Sequence, residues 1–499
     1  MATQIGSLAR HAGVYGMGTI VGGIARAALI PIIARYIPAE EYGKASVVLI
    51  FIALLSIMFE MGLSSSLIKF VNEARTDEEK KRLVATILVG SLVLALPIAL
   101  VCGLLFGQLS RLLLGSAQYG ALVLVGVAGG VGNAMLQVGL SFERAFARSF
   151  RYFLYTLLKG GLSLVLSIAL VVFLKKGAGG LIVGAALPPF VIGIVIYVRL
   201  LKRCGIRFSR AILRSVFEFG GPLVPMNLSM WVLCSSDIYL LRRLAVSAKA
   251  LSEVGLYQYA QEICLVLVLP ISALNLAWPQ FLFSNYSKPE GRELFARVHS
   301  YFSFFVIEIG FLLAVFARQI IGLVGSADYQ GSAQVLPLLA GSLVFYGFSV
   351  IFASGLYVTA KTRILALIVA VCGVLNVVLN IALIPHLGKQ GAALATLVTN
   401  LVMMAAVLAS AQARFRIPFR VKPMVWALAL AAAAAGAVEL ASARYPLAGG
   451  APARLLVAAG FSWALFTILG MRRRDLRNAA VMLSSIVKAR SSSDAGDLQ

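Results

Sequence analysis

The sequence predicts an all-α, polytopic membrane protein of about fourteen transmembrane helices, as two six-helix lobes followed by two extra C-terminal helices. Three observations carry this. Of its 499 residues, 60% are hydrophobic and only 13% charged, with a mean hydropathy of +0.92, which excludes a soluble globular protein. Long apolar runs recur along nearly the whole chain, and they are continuous rather than alternating, so helices and not a β-barrel span the bilayer. The two halves also carry a related motif in the same transmembrane direction.

Apolar stretches fall near residues 13–34, 45–68, 83–108, 119–142, 152–174, 180–199, 216–241, 254–278, 298–323, 333–358, 364–385, 391–412, 424–442 and 453–471. They organise the chain as an N-terminal lobe over 1–201 and a basic cytoplasmic linker over 202–215. A C-terminal lobe over 216–412, extra helices over 413–475 and a cytoplasmic tail over 476–499 complete it. The opening MATQIGSLARHAGVYG has no short apolar core with a small-residue cleavage site, so no cleavable signal peptide is expected.

The net charge of +24 invites a nucleic-acid reading, but its distribution excludes one. With the N-terminus inside, most of the 44 Lys and Arg fall on cytoplasmic segments. The richest are Lys69–Arg82, Arg199–Arg214, Arg414–Lys422 and Arg472–Arg490, which suit topology and contact with anionic lipid. Cytoplasmic N- and C-termini follow.

Ile37–Ser46 reads IPAEEYGKAS, and Leu251–Ala260 reads LSEVGLYQYA. In both, an acidic residue and then a glycine (Glu41 and Gly43; Glu253 and Gly255) open an even-numbered span. Arg35 precedes the first copy; Arg242 and Arg243 precede the second. The 212-residue offset lays span one over span seven. Because six spans separate the copies, the repeat is parallel, about an axis along the membrane normal. Small-residue pairs such as Gly18/Gly22 and Gly126/Gly130 suit close helix packing. FGGPLVPMN, with Gly220, Gly221, Pro222 and Pro225, opens span seven as an expected point of flexure.

Deeply placed ionisable residues are few, and in a bilayer each needs a polar cavity or a partner. Arg26 lies mid-span in the first helix. It cannot shed its proton, and it costs about 3 kcal/mol at a helix centre. It points to a site for an anion, or else to a structural ion pair. Lys159 lies in the fifth span. Glu60, Asp237, Glu262 and Glu308 are carboxylates at depth, with Glu218 nearer an interface. The functional reading is a cationic patch, Arg26 and Lys159, facing carboxylates that bind H⁺ or Na⁺. The alternative is lobe-to-lobe ion pairing. Asn133 and Gln137 share one helix face, as do Asn376 and Asn380; these amides suit sugar hydroxyls or neighbouring helices. Tyr36, Tyr42, Trp278 and Trp426 sit where interfacial anchors belong.

Enzyme signatures are missing. His11, His299 and His386 lie near span ends, no HExxH, GxSxG or P-loop occurs, and the loops are short. Cys102, Cys204, Cys234, Cys264 and Cys372 make no metal-type spacing, so neither a metal site nor a disulfide is expected. The sequons at Asn227 and Asn285 fall in a span and an inner loop and are chance matches.

Ile33–Val71, IARYIPAEEYGKASVVLIFIALLSIMFEMGLSSSLIKFV, resembles the opening of polysaccharide repeat-unit (Wzx-like) flippases of the multidrug/oligosaccharidyl-lipid/polysaccharide exporter superfamily. The matching positions are Ala34, Arg35, Glu41, Tyr42, Gly43, Glu60, Gly62 and Leu63. Two positions depart from the pattern: Ile37 stands where Gly is common, and Met61 separates Glu60 from Gly62. The resemblance implies a V-shaped, MATE-like transporter working by alternating access in a bacterial inner membrane. Its cargo would be an undecaprenyl-pyrophosphate-linked oligosaccharide, and its partners a polysaccharide polymerase and a chain-length regulator, with no nucleic acid. No cofactor is implied beyond a coupling H⁺ or Na⁺. A drug or organic-cation antiporter and a peptidoglycan-precursor flippase are the competing readings.

Overall fold

The computed structural model describes residues 23, 27–245, 249–444 and 450–470. Among them every regular element is helical. The first half runs α1 (Ala27–Tyr36), α2 (Ala39–Glu60), α3 (Leu63–Glu73), α4 (Asp77–Leu104), α5 (Phe106–Leu114), α6 (Gly120–Ala145), α7 (Ser149–Ile168) and α8 (Gly177–Cys204). After α9 (Arg210–Gly220) and α10 (Leu223–Leu244) come α11 (Ala250–Ile263), α12 (Leu265–Asn285), α13 (Gly291–Val315), α14 (Ala317–Val324), α15 (Leu336–Phe352), α16 (Ser354–Val358), α17 (Thr362–Leu387) and α18 (Lys389–Gln412). The last two helices are α19 (Val421–Arg444) and α20 (Ala451–Ile468).

Local sequence explains the boundaries. Thr76 and Glu79 form a reciprocal capping box that starts α4, and Asp77, Glu78 and Glu79 complement its dipole. Met61 and Gly62 both adopt positive φ, which ends α2 and lets α3 restart at a new angle. A π-turn over Ala169–Phe173 closes α7.

Eleven helices are long and apolar enough to cross a membrane, or twelve if α11 and the first part of α12 form one span broken at Cys264. These twelve coincide with twelve of the fourteen expected spans. The first expected span falls largely outside the described residues. The seventh is not one helix: α9 ends at Gly220 and α10 begins after Pro222. Pro222 has no N–H to continue the ladder, and two glycines before it offer little resistance to a break. The stretch expected as a linker is also largely helical, with α8 reaching Cys204 and α9 starting at Arg210.

The chain folds as two compact units. One comprises Met1–Ile263, Val324–Ser332 and Val369–Ala395. In it α6 packs closely on α2 and α8, and α2 packs on α11. Leu63, Leu67, Ile87, Leu88, Val138 and Ile196 build an apolar core where α3, α4, α6 and α8 converge. The other comprises Cys264–Leu323, Ala333–Ile368 and Thr396–Gln499. There α13 packs on α15, α19 and α20.

Two expected interfacial anchors are core residues instead. Tyr42 is buried and its ring lies 6.3 Å from that of Tyr329. Trp278 is buried, donates to the Ser354 hydroxyl at 2.9 Å and meets Phe281 and Phe295. Position along a span does not disclose which way an aromatic faces. Tyr36 and Trp426 are exposed, as an anchor requires. His299 is likewise a core residue, stacked on Phe352.

Candidate functional site

The sequence repeat is a structural contact within the first unit. α2 and α11 cross at Gly43 and Gly255, which are equivalent positions. A Cβ on Gly43 would lie 1.8 Å from the Leu251 carbonyl oxygen, and one on Gly255 would lie 1.9 Å from that of Ala39. Ala39 and Leu251 are themselves equivalent, so the crossing has pseudo-two-fold symmetry. Only residues without a side chain permit this backbone approach.

The repeated acids serve the same symmetry. Glu41 Oε2 accepts from the Ala178 N–H at 3.3 Å, at the start of α8. Glu253 Oε2 accepts from the Lys389 N–H at 3.1 Å, at the start of α18. Each acid therefore caps the sixth helix of its own half, where unpaired N–H groups favour a carboxylate. Lys44 pairs with Glu41 at 2.7 Å and lies 4.7 Å from the Tyr119 ring.

A second repeat becomes visible here. GSAQY (115–119) and GSADY (325–329) each enter a 3-10 turn ahead of α6 and α15. Tyr329 reaches back to donate to the Ile37 carbonyl at 2.9 Å. This motif was readable in the sequence, in a loop between spans.

The polar candidates group into clusters. Asp237 on α10 is 1% exposed and accepts from the Tyr257 hydroxyl on α11 at 2.5 Å. The neighbouring Ser236 hydroxyl lies 3.5 Å from Asn376 Oδ1 on α17. Asn380 donates to both the carbonyl and Oδ1 of Asn376 at 2.9 Å. Both asparagines are fully buried, and Asn376 Nδ2 and Asn380 Oδ1 have no hydrogen-bond partner among the described residues. A buried amide left half-satisfied costs free energy unless something fills the gap. Glu262 accepts from Gln258 at 3.0 Å on the same helix.

Lys159 on α7 donates to Asn133 Oδ1 on α6 at 3.2 Å, so two expected site residues meet. Gln137 is half-buried one turn further along α6. Glu60 is half-buried at the end of α2, within electrostatic reach of Arg144. Lys159, Asn133, Gln137, Glu60, Asp237, Glu262, Asn376 and Asn380 all belong to the first unit. Glu308 belongs to the second, where it accepts from Ser462 on α20 at 2.6 Å. Arg26 lies outside the described residues. Glu218 is exposed and paired with Arg214 at 3.0 Å.

Besides Lys44, two further buried charges are not marked out by the sequence. Arg454 is 3% exposed on α20, donating to the Val315 carbonyl and, at 3.0 Å, to Ser442. Glu143 is 2% exposed near the end of α6. Both sit near helix ends, where a charge looks interfacial until packing shows otherwise.

The described residues thus form a polytopic helical bundle with a repeated motif and buried polar clusters. Solved structures share this fold. A lipid II flippase, MurJ, in an inward closed conformation matches with a TM-score of 0.68 and 15% identity, over 91% of this chain and 99% of that one. An inward-facing multidrug resistance MATE family transporter of the MOP superfamily gives 0.59 and 18%, over 79% and 98%. A MOP superfamily transporter from Pyrococcus furiosus gives 0.56 and 18%, over 82% and 94%. Among curated proteins none matches this chain. Residues 32–334 match the family described as polysaccharide biosynthesis protein, and the chain belongs to that family.

Proposed function

We propose that this protein is a flippase that carries undecaprenyl-pyrophosphate-linked oligosaccharide repeat units from the inner to the outer leaflet of a bacterial inner membrane. The observation that carries the proposal is the Gly43–Gly255 crossing of equivalent helices within a chain of the polysaccharide biosynthesis family. Such a contact between repeats is one that alternating access makes and breaks. The family supports a glycan cargo, and the fold shared with a lipid flippase supports a lipid-linked one.

Arg26 and Lys159 are the cations assigned to the pyrophosphate. Asn133 holds the Lys159 ammonium, and with Gln137 it offers amides to sugar hydroxyls. Coupling to H⁺ or Na⁺ is assigned first to Asp237, whose chain neighbour Ser236 meets Asn376, an asparagine that with Asn380 has unfilled hydrogen-bonding capacity. Glu60, Glu262 and Glu308 rank behind it. A polysaccharide polymerase and a chain-length regulator are the natural downstream partners, and both termini are assigned to the cytoplasm.

The test is translocation of lipid-linked oligosaccharide in proteoliposomes, wild type against Arg26→Ala. Movement by the wild type alone supports the reading. Expulsion of a cationic dye by a folded wild type that moves no oligosaccharide replaces it with a drug antiporter. Movement of lipid II alone replaces it with a peptidoglycan-precursor flippase.

A further inference from the structure

A cleft of about 80 Å³ lies where the start of α4, the turn after α6 and the end of α8 meet. Its floor is apolar, with Val84, Phe142 and Phe146, and its rim carries Lys80, Arg148 and Arg203. We propose that it binds the phosphate headgroup of an anionic membrane lipid.

The charge arrangement is unusual for a merely basic surface. Glu143 is buried beneath the rim, and its Oε2 has no hydrogen-bond partner among the described residues. It feels Arg148, Arg151, Arg199 and Arg203 together, yet none of these makes an ion pair within 4.0 Å among the described residues. Four guanidinium groups thus share one carboxylate, leaving a concentrated positive excess. Arg148 is not free to swing away, because it lies 5.5 and 5.4 Å from the Phe142 and Phe146 rings. Opposing charges are limited: Asp77 sits on the rim, and Glu78 engages Lys81 and Arg207.

The backbone does not require this cluster. Ala147 has φ 53, and Arg148 N–H bonds the Glu143 carbonyl at 2.8 Å. The same turn recurs in the second half, with Ala360 at φ 53 and Lys361 N–H bonding the Leu356 carbonyl at 2.9 Å. There the buried acid is replaced by leucine and the position of Arg151 by Ile364. The turn closes without the buried acid and without a cation at the position of Arg151, while Lys361 keeps a cation where Arg148 stands, so Glu143 and Arg151 serve something else.

A lipid suits the site better than a soluble anion. The cleft has room for a phosphate but not for an oligosaccharide. Beside it α8 exposes Ile194, Val195 and Val198 along an open groove of about 430 Å³ that ends at Arg199 and Lys202. An acyl chain can follow that face while its phosphate stays at the rim.

The experiment is native mass spectrometry of the full chain in detergent, with phosphatidylglycerol and phosphatidylcholine as probes. The wild type should retain phosphatidylglycerol roughly tenfold better, and Arg148→Gln/Arg203→Gln should erase that preference. Arg148→Lys/Arg203→Lys should keep most of it. Glu143→Gln, by removing the buried negative charge, should strengthen retention severalfold, a gain that misfolding cannot produce. Neutralising Arg414 and Arg416, on a different basic segment, should leave it unchanged. Equal retention of both lipids, an unaltered preference in the Arg148/Arg203 double variant, or an equal loss in the Arg414/Arg416 variant overturns the proposal. Displacement of phosphatidylglycerol by millimolar inorganic phosphate overturns the lipid in favour of a soluble anion.

Discussion

Gly43 and Gly255 stand in each other's space: the Cβ that either lacks would collide with the backbone of the other's helix, 1.8 Å and 1.9 Å from a carbonyl oxygen. Their amide nitrogens lie 3.1 Å from the Cβ positions of the opposite residue, so the approach is mutual. A contact this close is sensitive to one methyl group, which makes it a lever on the whole crossing.

Gly43→Ala and Gly255→Ala should therefore each force α2 and α11 apart. Overpacking against backbone costs about 1–3 kcal/mol. Ser46→Cys, buried one turn on from Gly43, reports the opening by reaction with a membrane-impermeant maleimide. Labelling should rise in the glycine variants. Unchanged labelling and an unchanged melting midpoint would show that the helices do not depend on this contact.

The two capping acids should behave as a pair. Glu41→Gln and Glu253→Gln each weaken a charge-assisted bond to a helix start, and each should lower stability by about 1 kcal/mol or less, since both sites retain an amide oxygen. Thermal unfolding in detergent measures this. A large loss from one substitution and none from the other would contradict equivalent roles.

Asp237→Asn should uncouple transport rather than abolish the fold, because asparagine retains the volume and can still accept from Tyr257. Oligosaccharide movement should become indifferent to the imposed H⁺ or Na⁺ gradient that drives the wild type. If Asp237→Asn responds to the gradient as the wild type does, coupling lies with Glu60, Glu262 or Glu308.

Lys159→Ala removes a cation and leaves Asn133 without this donor. Surface polysaccharide should fall at least severalfold in cells that accumulate the variant normally, with Lys159→Arg recovering part of it. Normal polysaccharide in Lys159→Ala cells would remove Lys159 from the site.

Arg454→Ala should be a stability defect. The buried guanidinium satisfies the Val315 carbonyl at the end of α13 and Ser442 on α19, so its loss leaves both short of a donor and opens a void. A cost of about 2–4 kcal/mol is expected, read as lower yield and melting midpoint. A wild-type melting curve would show that α20 is held by its other contacts, such as Phe311 on Phe461 and Ser462 on Glu308.

The sequence by itself determined the class, twelve of the spans and the pairing of Glu41 and Gly43 with Glu253 and Gly255. Bilayer thickness fixes how many apolar residues a span needs, and backbone satisfaction demands helices, so these features are written in one dimension. The positions of equivalent motifs survive for the same reason. Tertiary structure alone decided which way each side chain faces and what it meets. Tyr42 and Trp278 read as surface anchors but are core; Arg454 and Glu143, which nothing in the sequence marks out, are buried. Ser236, next to Asp237, and the pair Asn376 and Asn380 lie on two helices far apart in sequence, yet meet in the fold. In a helix that is apolar all round, periodicity no longer separates the lipid-facing side from the packed side, so only the neighbouring helices can assign the faces.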